Sequence, residues 1–173
     1  MIFLVGGARS GKSSLAGSLA TTIGAPVIYI ATARADDHEM TQRIEEHRRH
    51  RPEDWEVVEA PIDLENALRS SPDGDTVVVD CVTLWISNLM VERDDDTVVG
   101  MVDSVIAAIV SRSGETIVVS NEVGSGVVPV HPVGRRFRDL QGRANQRLAK
   151  AAGAAYLVVA GKAIRLEAAD DVV

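Results

Sequence analysis

The most informative stretch for chemistry is a glycine-rich turn near the start of the chain. Residues 6–13 read Gly-Gly-Ala-Arg-Ser-Gly-Lys-Ser and match the pattern G-x-x-x-x-G-K-[ST] at every fixed position. The apolar run 2–5 precedes the turn, and an alanine- and leucine-rich helical stretch follows it. This context is typical of a loop that holds the phosphates of a nucleoside triphosphate. A glycine-rich turn that binds nothing is the weaker interpretation.

The demands of phosphate binding explain the residue types in this turn. Gly6 and Gly11 would let the backbone turn tightly and approach phosphate oxygens, so that N–H groups and the positive end of the next helix face the anion. We expect Lys12 to reach the β- and γ-phosphates and the Ser13 hydroxyl to ligate Mg²⁺. The predicted nucleotide-binding residues of the turn are Gly6, Gly7, Ala8, Arg9, Ser10, Gly11, Lys12 and Ser13.

A carboxylate ends a second apolar run. Residues 76–80 read Thr-Val-Val-Val-Asp, and Asp80 fits the acidic element that holds Mg²⁺ in phosphate-loop enzymes. A helix cap is the alternative interpretation of an Asp at this point. Because the phosphate loop is already present, we predict Asp80 and Ser13 as the metal site.

A third stretch, residues 43–52, is rich in arginine and histidine within an otherwise acidic chain. On a helix, Arg43, His47 and His50 would share one face. A solvated basic helix is one interpretation. The other is a histidine nucleophile among arginines that hold a triphosphate, since neighbouring positive charge keeps an imidazole neutral near pH 7. Spacing alone does not choose between His47 and His50.

The elements that must position these residues follow from hydrophobic periodicity and turn signals. Predicted strands cover residues 2–5, 27–31, 76–80, 116–120 and 155–160, with weaker candidates at 55–59 and 163–166. Predicted helices cover residues 14–23, 39–50, 64–68, 84–91, 98–111 and 135–152, with Asp36 or Asp37 as a possible cap of the second. The acidic stretch 92–96 is predicted to be a solvated loop. The apolar stripe Leu140, Ala144 and Leu148 suggests a subunit contact.

Strands that alternate with helices predict one α/β domain over residues 1–173, of the P-loop NTPase (RecA-like) kind, with a mostly parallel sheet and helices on both faces. Ligands of such sheets bind at the carboxyl ends of the strands. Residues 31–33 and 121–124 are therefore further site candidates, as are Asp80, Cys81 and Gly161. The stretch 121–129 either contacts substrate and closes the site or is a structural turn.

Composition excludes several functions. The net charge is −7 and the isoelectric point is near 5.1, which argues against a sequence-independent nucleic-acid binder. Cys81 is the one cysteine, so an internal disulfide is impossible. With no apolar run near the length of a membrane span, we expect a cytoplasmic enzyme.

Several stretches together resemble one family, the bifunctional adenosylcobinamide kinase/adenosylcobinamide-phosphate guanylyltransferases of cobalamin biosynthesis. Besides residues 6–13, the matching residues are Tyr29-Ile30-Ala31-Thr32, Glu39-Met40, Arg43-Ile44, His47-Arg48, Arg51-Pro52, Trp55, Glu59, Asn121-Glu122-Val123-Gly124, Gly126, Val128-Pro129, Phe137-Arg138-Asp139, Gly142-Arg143 and Asn145-Gln146. The resemblance implies that ATP or GTP phosphorylates adenosylcobinamide. It then implies that GTP guanylylates an enzyme histidine, and that adenosylcobinamide phosphate takes the GMP to give adenosylcobinamide-GDP.

The resemblance also implies site residues and an assembly. The Arg-Ile-x-x-His-Arg pattern identifies His47 as the nucleophile. Some family members carry a second histidine where this chain has Glu46. The implied GTP contacts outside the phosphate loop are Ala31, Thr32, Ala33, Arg48, Arg49, His50, Arg51, Glu59 and Asp80. A homotrimer with sites near the subunit boundaries is implied as well.

Two other functions remain open from the sequence. A kinase alone would need only the phosphate loop and Asp80. A nucleotide-switched binding module or a DNA-dependent ATPase is the other alternative, although the acidic charge and the scarcity of aromatic residues speak against DNA binding.

Overall fold

Strands and helices alternate along nearly the whole chain. The computed structural model describes residues 1–35, 38–49 and 51–168, apart from the side chains of Glu39, Arg43 and His47. The strands are β1 (Ile2–Gly6), β2 (Val27–Ala31), β3 (Glu56–Glu59), β4 (Thr76–Asp80), β5 (Thr116–Asn121), β6 (Ala154–Val159) and β7 (Lys162–Leu166). The helices are α1 (Lys12–Ile23), α2 (His38–Arg49), α3 (Leu64–Ser70), α4 (Val82–Leu89), α5 (Asp95–Val110) and α6 (Pro132–Ala151).

The strands form one sheet in the order β3-β2-β4-β5-β1-β6-β7. All neighbouring pairs are parallel except β6 and β7. Consequently β1, which leads into the phosphate loop, and β4, which ends in Asp80, are separated by β5. The carboxyl ends of these three strands lie at the same edge of the sheet, as the predicted α/β fold requires.

Helices bury both faces of the sheet. On one face, Ala16 and Ala20 of α1 pack against Leu4, Val78 and Ile117 of three successive strands. The opposite face packs against α3, α4, α5 and α6, and its core includes the fully buried ring of Trp85. Small residues on α1 allow it to lie close to the sheet, so the loop at its amino end sits directly above the strand ends. No helix within the described ranges is both long and apolar enough to cross a bilayer.

Most predicted elements are confirmed, and β2 and β4 have the predicted bounds. The prediction of a solvated loop over residues 92–96 is wrong for the last two residues, because α5 already begins at Asp95. The Asp94 carboxylate accepts a hydrogen bond from the Thr97 amide at 2.8 Å and caps this helix. Carboxylates at a helix amino end are stabilised by the helix dipole, which explains an acidic run inside a helix start. The caps suggested at Asp36 or Asp37 lie outside the described residues.

The apolar stripe of α6 has a different role from the predicted subunit contact. Leu140, Ala144 and Leu148 are each at most 2% exposed, in the core of this chain. On the same helix, the Arg136 guanidinium donates to the Asp95 carboxylate at 2.6 Å and to the carbonyls of Met90 and Arg93. One arginine of α6 therefore joins this helix to the turn between α4 and α5.

Replacing Arg136 should destabilise the fold measurably. We expect Arg136→Ala to lower the free energy of unfolding by about 2 kcal/mol, because charged hydrogen bonds to partly buried acceptors are lost. Urea denaturation followed by circular dichroism would measure it. Arg138→Ala is the matched control, since the one partner of Arg138 within the described part of the chain is its exposed neighbour Asp139. This variant should change stability by less than about 0.5 kcal/mol. Equal losses in both variants would contradict this role of Arg136.

Candidate functional site

The glycine-rich turn forms a compact loop between β1 and α1. Gly11 caps α1 with a φ of 97°, a left-handed conformation that favours glycine. Because this cap has no side chain, the first N–H groups of α1 keep their capacity to bind an anion. The loop is held by a hydrogen bond from the Ser10 amide to the Gly7 carbonyl, and by one from the Gly161 amide to the Ser10 carbonyl at 2.8 Å.

Gly6 is required for a reason that differs from the predicted one. A Cβ atom at Gly6 would lie 2.2 Å from the Val158 carbonyl oxygen of β6. The absent side chain therefore allows two backbones to approach, and Gly11 supplies the unusual backbone angle.

Lys12 is the buried charge of the site. Its side chain is 6% exposed, and Nζ donates to the Gly7 carbonyl at 2.7 Å and to Ser10 Oγ at 3.4 Å. Burial lowers the pKa of this ammonium, and the nearby Asp80 carboxylate opposes that effect. An ammonium folded onto its own loop is ready to exchange a carbonyl for a phosphate oxygen, which is a stronger, charge-assisted acceptor.

Asp80 is tied to an aromatic residue of the neighbouring strand. The Tyr29 hydroxyl donates to Asp80 Oδ2 at 2.8 Å. Burial, together with the adjacent carboxylate, raises the pKa of Tyr29 well above its usual range, so this hydroxyl remains a donor. The Arg51 guanidinium lies 3.8 Å above the same ring, and the Trp55 ring lies 6.4 Å from it. Tyr29 thus connects the carboxylate of β4 to the segment that follows α2.

A cavity of about 920 Å³ opens beside the phosphate loop. The lining residues that bear on chemistry are Ala8, Arg9, Ser13, Tyr29, Glu46, Arg51 and Trp55. Among the described residues, buried Nε and Nη1 of Arg51 have no hydrogen-bond partner. Buried guanidinium nitrogens normally bond to an acceptor, so Arg51 is placed to receive an anionic ligand.

Among the predicted nucleotide contacts at the end of β2, Thr32 has a side chain with a structural role. Thr32 is fully buried, and its hydroxyl donates to the Cys81 carbonyl at 2.7 Å and accepts from the Cys81 amide at 2.9 Å. Asn88 Nδ2 donates to the carbonyls of Thr32 and Pro61. These bonds fix the backbone on both sides of Asp80, and the Thr32 side chain is already engaged. Ala31 and Ala33 flank it at the same edge.

The structure distributes the remaining predicted residues over different surfaces. The His47 backbone belongs to α2, whereas its side chain and all of His50 lie outside the described residues. Arg48 and Arg49 are exposed, and Arg49 lies 3.8 Å from Glu45 of the same helix. Glu59 lines a separate hollow of about 470 Å³ between β3 and α3. Arg51 and the phosphate loop therefore share one cavity, and Glu59 faces a neighbouring one.

Buried polar side chains also hold the end of β5. Ser120 Oγ donates to Asn145 Oδ1 at 2.7 Å and accepts from Gln141 Nε2 at 2.8 Å. The Asn121 amide donates to Thr83 Oγ1 at 2.7 Å, and Asn145 Nδ2 donates to the Asn121 carbonyl at 3.0 Å. We call these four side chains, of Thr83, Ser120, Gln141 and Asn145, the β5 clamp.

The stretch after β5 begins with a turn that the Glu122 carboxylate stabilises. Glu122 accepts hydrogen bonds from the amides of Gly124 and Ser125 at 2.7 and 3.0 Å. Burial by itself would raise the pKa of Glu122, but these hydrogen bonds outweigh it and lower the pKa below its ordinary value. The Glu122 amide donates to the Gly6 carbonyl at 3.0 Å, so this turn begins directly beside the phosphate loop. Val127 and Val130 beyond it are 95% and 85% exposed.

The donor set fits a magnesium ion held mainly by a nucleotide. The described residues contain no group of three or more His, Cys, Asp or Glu side chains that could hold a metal ion. Mg²⁺ in nucleotide sites is usually bound by one or two protein oxygens together with phosphates and water. Asp80 at the end of β4 and Ser13 at the start of α1 match that requirement.

These features define the class of protein: a phosphate-loop nucleotide-binding α/β fold with a buried lysine, an acidic strand end and an arginine-lined cavity. The likeness to a solved ATPase from the type III secretion system of pathogenic bacteria agrees, with a TM-score of 0.55 at 14% identity over 90% of this chain and 51% of that one. This chain spans about half of that ATPase, and the likeness shows the fold alone.

Sequence comparisons identify the family. The profile described as cobinamide kinase / cobinamide phosphate guanyltransferase matches residues 2–166. The bifunctional adenosylcobalamin biosynthesis protein CobP of Pseudomonas aeruginosa is 43% identical over 159 residues, which cover 91% of this chain and 92% of that protein. CobU of Escherichia coli, with the same description, is 38% identical over 183 residues, which cover 96% and 99% of the two chains. The chain therefore belongs to the cobinamide kinase/cobinamide phosphate guanylyltransferase family, as its motifs indicated.

Sequence reasoning missed the residues that hold the site together. Thr32 was predicted as a nucleotide contact, and the Tyr29–Asp80 bond, the role of Asn88 and the β5 clamp were not predicted. Hydroxyl and amide side chains near strand ends were the available signal, but their partners are 21 to 56 residues away in sequence.

Thr32 offers a direct test of how Asp80 is positioned. Thr32→Val removes the hydroxyl that pairs with both backbone groups of Cys81, so we expect the free energy of unfolding to fall by about 2 kcal/mol. Mg²⁺-dependent nucleotide affinity should fall as well, because the Asp80 backbone loses its support. Thr32→Ser keeps the hydroxyl and should retain most of both. A valine variant as stable as the wild type in urea denaturation would show that the Thr32 bonds contribute little.

Proposed function

We propose that this single domain catalyses two consecutive reactions on one corrinoid. It phosphorylates adenosylcobinamide with a nucleoside triphosphate and then transfers GMP from GTP to adenosylcobinamide phosphate, giving adenosylcobinamide-GDP in cobalamin biosynthesis. The observation that carries the proposal is the buried Lys12 loop beside the Arg51 cavity, in a chain of this family.

The guanylyl transfer proceeds through a covalent histidine intermediate in this proposal. An imidazole nitrogen of His47 attacks the α-phosphorus of GTP, the bond to the bridging oxygen breaks, and pyrophosphate leaves with the electron pair. A phosphate oxygen of adenosylcobinamide phosphate then attacks the same phosphorus, and the phosphorus–nitrogen bond breaks to regenerate His47. Splitting the transfer in two lets one cavity serve two in-line displacements.

The residues around the cavity support charge neutralisation during both reactions. Arg51 has buried guanidinium nitrogens turned to no protein partner among the described residues, and Lys12 faces the loop oxygens. We assign Arg51 and the backbone of residues 6–13 to the triphosphate, together with Ala31, Ala33, Arg48, Arg49 and His50. We also assign Glu59 to the nucleotide. It would contact the end of the nucleotide that extends toward the hollow between β3 and α3. Fixed positive groups that stabilise phosphoryl charge are the main requirement of such transfers.

The kinase reaction uses the same loop in this proposal. The aminopropanol hydroxyl oxygen attacks the γ-phosphorus of ATP or GTP and loses its proton, and the nucleoside diphosphate leaves. Ser13 and Asp80 would hold Mg²⁺, which when bound neutralises phosphate charge. The protein groups orient the triphosphate: Lys12 at its terminal end and the α1 amino end beneath it.

We further propose a homotrimeric enzyme of the cytoplasm. The trimer follows from the family resemblance, and sedimentation equilibrium would measure it. A single buried cysteine, Cys81, suits a reducing compartment.

Transfer of labelled GMP to the protein tests the proposal. We expect α-³²P-labelled GTP with Mg²⁺ to label the denatured protein, with label that acid removes and base does not, as for a phosphoramidate on histidine. His47→Ala should abolish the label. His38→Ala and His131→Ala are matched controls at exposed sites and should keep it.

The other outcomes separate the alternatives. Label lost only in His50→Ala would move the nucleophile to that residue. An unlabelled wild type that still phosphorylates adenosylcobinamide would leave a kinase alone. Nucleotide hydrolysis with neither transfer would favour a nucleotide-switched module.

A further inference from the structure

The strand between the phosphate loop and Asp80 carries an asparagine that the two proposed reactions leave unused. In the register of the sheet, Asn121 of β5 lies opposite Gly6, and Val119 lies opposite Asp80. Neighbouring strands are about 4.8 Å apart. Asn121 therefore lies beside the start of the phosphate loop, two residues beyond the level of Asp80.

Side-chain alternation gives the face on which Asn121 lies. Ile117 and Val119 of β5 pack with Ala16 of α1, whereas Val118 packs in the core on the opposite face. Because successive residues of a strand alternate between faces, residue 121 belongs to the α1 face. On β4, the same alternation from Val78 puts Asp80 on that face as well.

The backbone of Asn121 is held firmly while its side chain is not engaged. The β5 clamp bonds its amide through Thr83 and its carbonyl through Asn145. Within the described ranges, the side-chain amide of Asn121 has no hydrogen-bond partner, and the residue is half-buried. Holding the backbone on both sides fixes the direction of the Cα–Cβ bond of Asn121, from which its side chain extends.

We propose that Asn121 is a γ-phosphate contact, donating from Nδ2 to the terminal phosphate of the bound triphosphate. This inference rests on the proposed binding of a nucleoside triphosphate at the loop. Lys12 is assigned to the terminal end of the triphosphate, and Asp80 is assigned to its Mg²⁺. Asn121 lies on their face of the sheet, on the strand between them. It thereby distinguishes triphosphates from diphosphates.

Comparing a triphosphate with a diphosphate isolates this contact. The probes are GDP and α,β-methylene-GTP, whose α–β linkage a histidine cannot cleave, each titrated calorimetrically with Mg²⁺. We expect Asn121→Ala to weaken the triphosphate about tenfold and GDP hardly at all, since only one charge-assisted bond is lost. Asn121→Asp should weaken the triphosphate further through repulsion between like charges.

Controls make the result specific. Asn66→Ala removes an asparagine from α3, at the second hollow, and should leave the ratio of the two affinities unchanged. Thermal unfolding of Asn121→Ala should match the wild type, because the clamp bonds only the backbone of residue 121. A loss confined to the triphosphate supports the contact.

The opposite outcomes are equally definite. Equal weakening of both nucleotides, or no change in either, would overturn the Asn121 contact while leaving the proposed function intact. A wild type that binds neither nucleotide would overturn the proposed function and this inference together.

Discussion

The site depends on satisfying backbone groups where parallel strands end. At such an edge the ladder stops, and the last N–H and C=O groups need other partners when they are buried. In this protein hydroxyl and amide side chains supply them: Thr32 for Cys81, Asn88 for Thr32, and the β5 clamp for Asn121. These bonds immobilise the backbone from which the side chains of the site extend.

Polar partners also reduce the desolvation penalty of the charged side chains at the carboxyl ends of the strands. Lys12 bonds to its own loop, and Asp80 accepts from Tyr29. The buried Lys12 ammonium and the half-buried Asp80 carboxylate thus each keep a polar partner. Arg51 rests on the Tyr29 ring, where a cation gains from the aromatic face. A nucleotide therefore enters a site whose charges are already held in place.

How much the sequence could predict depended on the range of the interaction. The phosphate loop, β2 and β4 follow from local patterns, and their predictions are confirmed because one buried run and its flanking turns determine them. The start of α5 was misplaced because Asp95 and Asp96 resemble a solvated loop, although a capped helix start favours acidic residues. The Thr32 and Ser120 bonds join distant segments, so no local pattern contained them. His47 was chosen by family resemblance, and spacing had left His50 equally open.

The central position of β1 in the sheet determines when its loop can fold during synthesis. β1 precedes both of its neighbours in the sheet, because β5 and β6 come from residues 116–121 and 154–159. The loop at residues 6–13 is completed by a bond from Gly161 to Ser10. Pairings so distant in sequence form late. A ribosome must therefore synthesise the chain through residue 161 before the loop at residues 6–13 can make all of these contacts.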